Sequence, residues 1–321
     1  MKRAPEFALG SPVFCVGHTV RGDQSTPSAD AVVEMVQDVH ATLREQGITA
    51  SSPPFFVFRV DGAEPELGLW CPIADEVGEV GISKAKFPAA RYVVLQGVPL
   101  ADLWEEFEGM TRWADERRLP WDLGLAHMGS PAPDVPPESL TIDLNLRLRP
   151  PRPRLVTRPT VRYLPIQFSK SPLTDESEPF VDTVRRVRAL VVERGFGIEG
   201  AAFWSFNRIG REAEFVDGRE VEFTLCLPLR EEPTATGQEG SREQASGTYA
   251  TVTHPGPLND LDFTYQLLVD WVAAQGLRWE DGISVLEPES EREQDQSKWR
   301  VELAIRTLGT AEAFSSSTFE C

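Results

Sequence analysis

The chain contains itself twice, and that limits its possible folds more than any other feature. Pro99-Leu100-Ala101-Asp102-Leu103, followed by Trp113 and Trp121, returns as Pro257-Leu258-Asn259-Asp260-Leu261, followed by Trp271 and Trp279. The spacing stays constant without a gap (257 − 99 = 279 − 121 = 158). A weaker match precedes each segment. Gly47, Phe55-Phe56 and Phe58 correspond to Gly195, Phe203-Trp204 and Phe206 at an offset of 148 (203 − 55). The order is therefore four repeats: A1, A2, B1 and B2. Each reads as a strand, an amphipathic helix and two further strands. In B2 the helix carries Leu261, Tyr265, Leu268 and Val272 on one stripe and stops at Gly276.

This pattern predicts an α+β protein with two domains. Residues 1–152 hold A1 and A2, 153–158 form a stiff Pro/Arg linker, and 159–321 hold B1 and B2. The proline-, glycine- and glutamate-rich stretches 74–83, 130–139 and 230–247 read as loops. Two domains also fit the length of 321 residues, at roughly 100 to 200 residues per domain. Because one chain supplies both domains, a monomer is sufficient.

Composition removes several functional classes. The formal charge is 32 − 50 = −18, which disfavours a nucleic-acid binder or a protein that docks on anionic lipid. No apolar run approaches a membrane span, and no secretion signal follows Met1, so a cytoplasmic location is expected. Cys15, Cys71, Cys226 and Cys321 are dispersed, as are the four histidines. Neither a metal cluster nor a disulfide framework is expected, and no motif calls for a cofactor. The charge is uneven: residues 1–158 carry 16 − 22 = −6 and residues 159–321 carry 16 − 28 = −12.

Strand alternation supplies the candidate site residues. In Arg300–Ile305, Val301, Leu303 and Ile305 share one face, and Glu302 points to the other. A carboxylate walled by aromatic rings would attract a cation or act as a base toward water. The competing reading is a solvated glutamate paired with Arg300 or another arginine. Asp143 holds the matching position in A2, on a polar face shared with Asn145 and Arg147. In B1, Cys226 lies opposite Leu225 and Leu227, but no histidine is placed to activate it. Trp204 and Phe206 share a face that is either core or groove wall. Trp70 lies opposite Leu69 and Cys71 and is a groove candidate, and Trp279 is a further aromatic candidate. Trp113 and Trp271 recur at one helical position, which favours the core. His254 reads as a turn residue.

The run Tyr249-Ala250-Thr251-Val252-Thr253-His254-Pro255-Gly256-Pro257-Leu258, with Tyr265, Trp271, Gly276 and Glu302, resembles the GyrI-like small-molecule-binding domain. That resemblance implies two β-α-β-β repeats related by a pseudo-twofold in each domain. It also implies antiparallel sheets, with helices on one face and a concave ligand groove on the other. Some relatives are fused to a DNA-binding helix-turn-helix, which is not expected here. The implied activity is binding of a hydrophobic, aromatic or cationic small molecule, as a stand-alone resistance or sequestration protein. The alternative is a hydrolase that opens a cyclopropane or epoxide in a DNA-alkylating natural product, with Glu302 activating water and Tyr265 assisting. The chain departs from the family pattern at Leu258, where tyrosine is usual, and at Gly97-Val98-Pro99. It departs again at Ile305-Arg306-Thr307, and at Asp143, which stands where B2 has Glu302.

Overall fold

The computed structural model describes residues 4–21, 29–59, 66–74, 83–128, 140–168, 180–206, 214–216, 219–221, 223–230, 240–286, 293 and 295–310. The chain divides into two compact units, Met1–Pro150 and Pro151–Cys321. In unit 1, β1 (Glu6–Gly10) and β2 (Val13–Arg21) precede α1 (Ala29–Glu45). Then come β3 (Phe55–Arg59), β4 (Glu66–Ile73), β5 (Ser83–Phe87) and β6 (Ala90–Pro99). The unit closes with α2 (Leu103–Glu116), β7 (Trp121–Met128) and β8 (Thr141–Leu148). The eight strands form one sheet, ordered β1-β6-β8-β7-β3-β4-β2-β5.

Unit 2 repeats this plan. It contains β9 (Arg154–Arg158), β10 (Val161–Phe168), α3 (Phe180–Glu193) and β11 (Phe203–Phe206). After a small hairpin of β12 (Glu214–Val216) and β13 (Arg219–Val221) come β14 (Phe223–Pro228) and β15 (Arg242–Gln244). The last four elements are β16 (Gly247–Pro255), α4 (Leu261–Ala274), β17 (Leu277–Leu286) and β18 (Arg300–Thr310). Starting from β9, its eight-stranded sheet runs β9-β16-β18-β17-β11-β14-β10-β15, which matches the order in unit 1 strand for strand. All of these pairings are antiparallel. The fold is thus α+β, with four β-α-β-β repeats plus one added strand at each sheet edge.

Both helices of each unit cover the same face of its sheet. In unit 1, Val36, Val39 and Leu43 of α1 and Phe107, Met110 and Ala114 of α2 share a core with Phe56, Leu69, Val93 and Leu144. In unit 2, Val184, Val187, Leu268 and Val272 share one with Leu225, Ala250, Val301, Leu303 and Ile305. These strand residues sit at alternate positions, so their neighbours must face away from the helices. Helix α4 ends as its sequence predicts: Gly276, at φ 66°, follows in the left-handed conformation that glycine tolerates best.

Three sequence expectations are corrected by the structure. The segment read as a linker, 153–158, supplies strand β9, in which Arg154–Arg158 pair with Thr251–Gly247. Leu155-Val156-Thr157 has strand propensity, and flanking prolines are compatible with an edge strand that needs no further ladder bonds. Within the expected loop 230–247, Arg242–Gln244 form β15 and pair with Val161–Tyr163. The loop at 130–139 lies outside the described residues. His254 is fully buried rather than a surface turn residue. Its ring nitrogens bond the Thr264 hydroxyl and the Pro257 carbonyl, both at 2.8 Å, which locks the strand-to-helix turn.

Strands β2 and β4 pack closely in unit 1. A Cβ at Gly17 would lie 2.1 Å from the backbone oxygen of Leu69. Because that atom cannot swing aside, Gly17→Ala should destabilise unit 1 by ~3 kcal/mol, measured by urea or thermal unfolding.

Candidate functional site: the helix-free sheet faces

On the helix-free face of unit 1, Cys15, Phe55, Val57, Trp70, Phe87, Leu123 and Leu125 form a second apolar cluster. Beside it lies a cavity of about 270 Å³. Phe55, Phe87, Tyr92, Leu125, His127 and Asn145 line its walls. The Phe55 ring stands edge-on to Phe87 at 5.4 Å and stacks on His127 at 4.8 Å. These contacts fix three cavity walls in mutually perpendicular and parallel planes, as aromatic quadrupoles favour. Burial holds the His127 imidazole below its ordinary pKa, and Asp143 opposes that shift. Burial pushes the Tyr92 hydroxyl up, with Arg147 pulling it back and Asp122 and Cys15 adding to the rise. At neutral pH the cavity therefore presents a neutral imidazole, a neutral phenol and the Asn145 amide among aromatic faces.

Asp143 lies on this face, where alternation put it. Its Oδ1 accepts the Gly97 backbone N–H at 2.9 Å. Gly97, at φ 64°, occupies the bulge that shifts the β6–β8 register between Leu95 and Val98. The carboxylate thus secures a bulge in the strand that carries Tyr92. Farther along the same face, Arg147 grips Asp122 through two bonds of 2.8 and 3.0 Å. Trp70 is buried edge-on to Phe87, with ring centroids 5.9 Å apart. It supports the cavity from the second apolar cluster.

The same face of unit 2 is filled differently. Phe203, Cys226, Tyr249 and Ala304 form a buried cluster. Glu302 is on this side, and its Oε1 accepts from Arg158 Nη2. The Arg158 guanidinium also lies over the Tyr249 ring, 5.6 Å from the centroid. Tyr249 donates its hydroxyl to the Ala245 carbonyl at 2.6 Å and accepts from Gln244 at 2.8 Å. Arg306 pairs with Glu280, where unit 1 has Arg147 and Asp122. Glu302 therefore has an arginine partner, which is Arg158 of the edge strand and not Arg300; the competing reading of a glutamate paired with Arg300 or another arginine included such a partner.

The other sequence candidates do not join Glu302. Trp204, only 2% exposed, belongs to the helix-side core and packs edge-on against Phe180 at 5.3 Å. It is core, not groove wall. Phe206 pairs with Gly282 in the sheet, and its side chain lies outside the described residues. Tyr265 packs against the same helix-side core as Val301 and Leu303, so it sits on the opposite sheet face from Glu302. Trp279 accompanies Tyr265, with ring centroids 6.4 Å apart, and is 36% exposed. The Glu302–Tyr265 pair expected to act on water is therefore not assembled. Cys226 faces the expected side but is buried within an apolar cluster. In unit 1, burial raises Cys15 to about 12 and Cys71 to about 11, so both stay thiols at neutral pH.

Phe55, Phe87, Tyr92, His127 and Asn145 were not singled out from sequence as ligand-binding residues. Asn145 had a usable signal, because it shares a strand face with Asp143. So did Tyr92, which occupies the same repeat position as Tyr249. Nothing in the sequence around His127 distinguishes it. Among the described residues, no group of three His, Cys, Asp or Glu side chains could hold a metal ion, and no helix is long and apolar enough to cross a membrane.

No known family's sequence model matches the chain, and no curated protein matches it. Solved structures similar to parts of it include the EcmrR C-terminal domain, at 16% identity. That match covers 49% of this chain and 97% of that one, with a TM-score of 0.39. SAV2435 bound to tetraphenylphosphonium is 5% identical, covering 46% of this chain and 94% of that one, with a TM-score of 0.35. A hydrolase from Listeria innocua is 14% identical, covering 46% and 93% respectively, with a TM-score of 0.32.

The depressed His127 gives unit 1 a defined acid response. In the unfolded chain this histidine takes up its proton near pH 6.5, whereas the folded site takes it up only at lower pH. Between those two values the unfolded state binds more protons, so stability falls as pH drops through the window. Thermal melts from pH 7.5 to 5 should show that loss, and His127→Phe should reduce its slope.

Proposed function

We propose that the protein binds small molecules and that the aromatic cavity of unit 1 is its open site. The observation that carries this reading is the cavity itself, built from Phe55, Phe87, Tyr92 and His127 on the face that no helix among the described residues covers. Its size suits a compact ligand with one or two rings. Ring faces supply stacking and cation–π attraction, and a neutral His127 adds no repulsion toward a cation. Asp143 lies opposite His127 in the strand register and adds negative potential behind the wall. The ligand class is therefore a hydrophobic, aromatic molecule that is neutral or cationic. A sequestration or resistance role is consistent with that class. The hydrolytic alternative gains no support, because Glu302 is tied to Arg158 and Tyr265 is on the other sheet face.

Isothermal titration with benzyltrimethylammonium and its neutral isostere neopentylbenzene tests the reading. Saturable binding is expected, weakened roughly tenfold or more by Phe55→Ala, which removes a ring wall. Affinity that is absent, or unchanged in Phe55→Ala, would overturn it.

A further inference from the structure

Among the edge-strand positions at which the two units differ, one bears on the helix-free face. In unit 1, Gly10 pairs with Ala90, and Tyr92 stands two residues beyond Ala90. In unit 2, Arg158 pairs with Gly247, and Tyr249 stands two residues beyond Gly247. Because the strand orders match, Gly10 and Arg158 are equivalent, as are Tyr92 and Tyr249. Glu302 and Asp143 are equivalent as well. Glu302 lies opposite Val285 in the β17–β18 ladder, and Asp143 lies opposite His127 in the β7–β8 ladder.

The chemistry at these matched positions is opposite. Gly10 lines the unit 1 cavity, and a Cβ there would come within 2.5 Å of the Tyr92 ring. The absent side chain is what leaves space over that ring. At the same position in unit 2, a guanidinium covers the Tyr249 ring and pairs with Glu302. Arg158 and Glu302 remain 23% and 22% exposed, so the pair sits at the mouth of the face rather than sealed in the core. The Arg158 Nε is buried, as is the hydroxyl of Thr251, two residues beyond Tyr249 on the same strand face, and neither has a hydrogen-bond partner among the described residues. Arg158 therefore satisfies Glu302 and Tyr249 while leaving polar atoms of the site unused.

We infer that unit 2 carries a second site, for a flat organic cation of the guanidinium or amidinium type, and that Arg158 is the chain's own occupant of it. Glu302 supplies the counter-charge, Tyr249 the ring face and Thr251 a free hydroxyl. A ligand must displace Arg158, whose strand lies at the sheet edge and can release its terminal residue without unpairing the core strands. The residue at this position sets whether a unit is open or self-occupied: glycine in unit 1, arginine in unit 2. This inference rests on the small-molecule reading of unit 1 only for the number of sites in the unaltered protein.

The test is isothermal titration of the full chain with benzylguanidinium. Arg158→Gly and Arg158→Ala should each bind one more equivalent than wild type. Adding Glu302→Gln to Arg158→Gly should weaken that extra equivalent at least tenfold. The inference is overturned if both folded variants bind the same number as wild type, or if the added equivalent ignores Glu302→Gln. Failure of the unit 1 reading looks different, because wild type would then bind only at the excess that displaces Arg158, while Arg158→Gly gains its site at lower concentration. A further readout needs no variant fold: in excess benzylguanidinium, the ¹⁵Nε resonance of Arg158 in wild type should shift toward that of a solvated arginine. An unmoved resonance in excess ligand would also overturn the inference.

Discussion

Among the described residues, each unit has two α-helices to cover an eight-stranded sheet, and both lie on the same face. Half of every strand's side chains must therefore find cover without a helix. Strand alternation makes this unavoidable, since each residue that enters the helix-side core sends its neighbours to the other face. Apolar side chains left there need partners, and the two units find them differently. Unit 1 clusters Phe55, Trp70, Phe87 and Leu125 and leaves a cavity beside them. Unit 2 clusters Phe203, Cys226 and Tyr249 and closes the remaining space with an arginine.

The carboxylate on this face shows how the same position can be settled by different means. Asp143 and Glu302 both sit on the face away from the helices, in matching final strands. The shorter aspartate accepts a backbone N–H from the Gly97 bulge. No bulge interrupts the β16–β18 ladder of unit 2, so Glu302 has no such donor and takes a side-chain partner instead. A half-exposed ion pair of this kind adds little net stability, because desolvation offsets most of the attraction. Its larger effect is on occupancy, since a carboxylate engaged by an internal cation cannot simultaneously hold an external one. Arg147–Asp122 and Arg306–Glu280, by contrast, recur in both units and mark the part of the face that the repeat keeps constant.

The sequence made the repeats legible because Pro99/Pro257 and Trp121/Trp279 fix a common spacing, and glycine at 276 fixes a helix end. Alternation correctly separated Glu302 from Val301 and Leu303. Alternation does not say which face the helices take when both faces of a strand are apolar, as in Phe203-Trp204; the Phe180 ring packed on Trp204 settles it. Tyr265 is a site residue only through family likeness, yet it packs on the helix side, with the Trp279 ring beside it. Edge strands were the least legible. Arg154–Arg158 is short and bracketed by prolines, and its identity depends on pairing with residues about ninety positions away. Missing that strand hid the partner of Glu302.

Charge illustrates the same separation between global and local information. Residues 159–321 carry 16 − 28 = −12, a net potential that attracts cations toward the second half. At the face that matters, Arg158 neutralises Glu302 and Arg306 neutralises Glu280. Net charge acts over a Debye length of about 8 to 10 Å and can raise the local concentration of a cation near the unit. It does not open a site that an internal guanidinium already fills. Steering by the whole unit and admission by one edge residue are therefore independent controls, and only the second distinguishes Gly10 from Arg158.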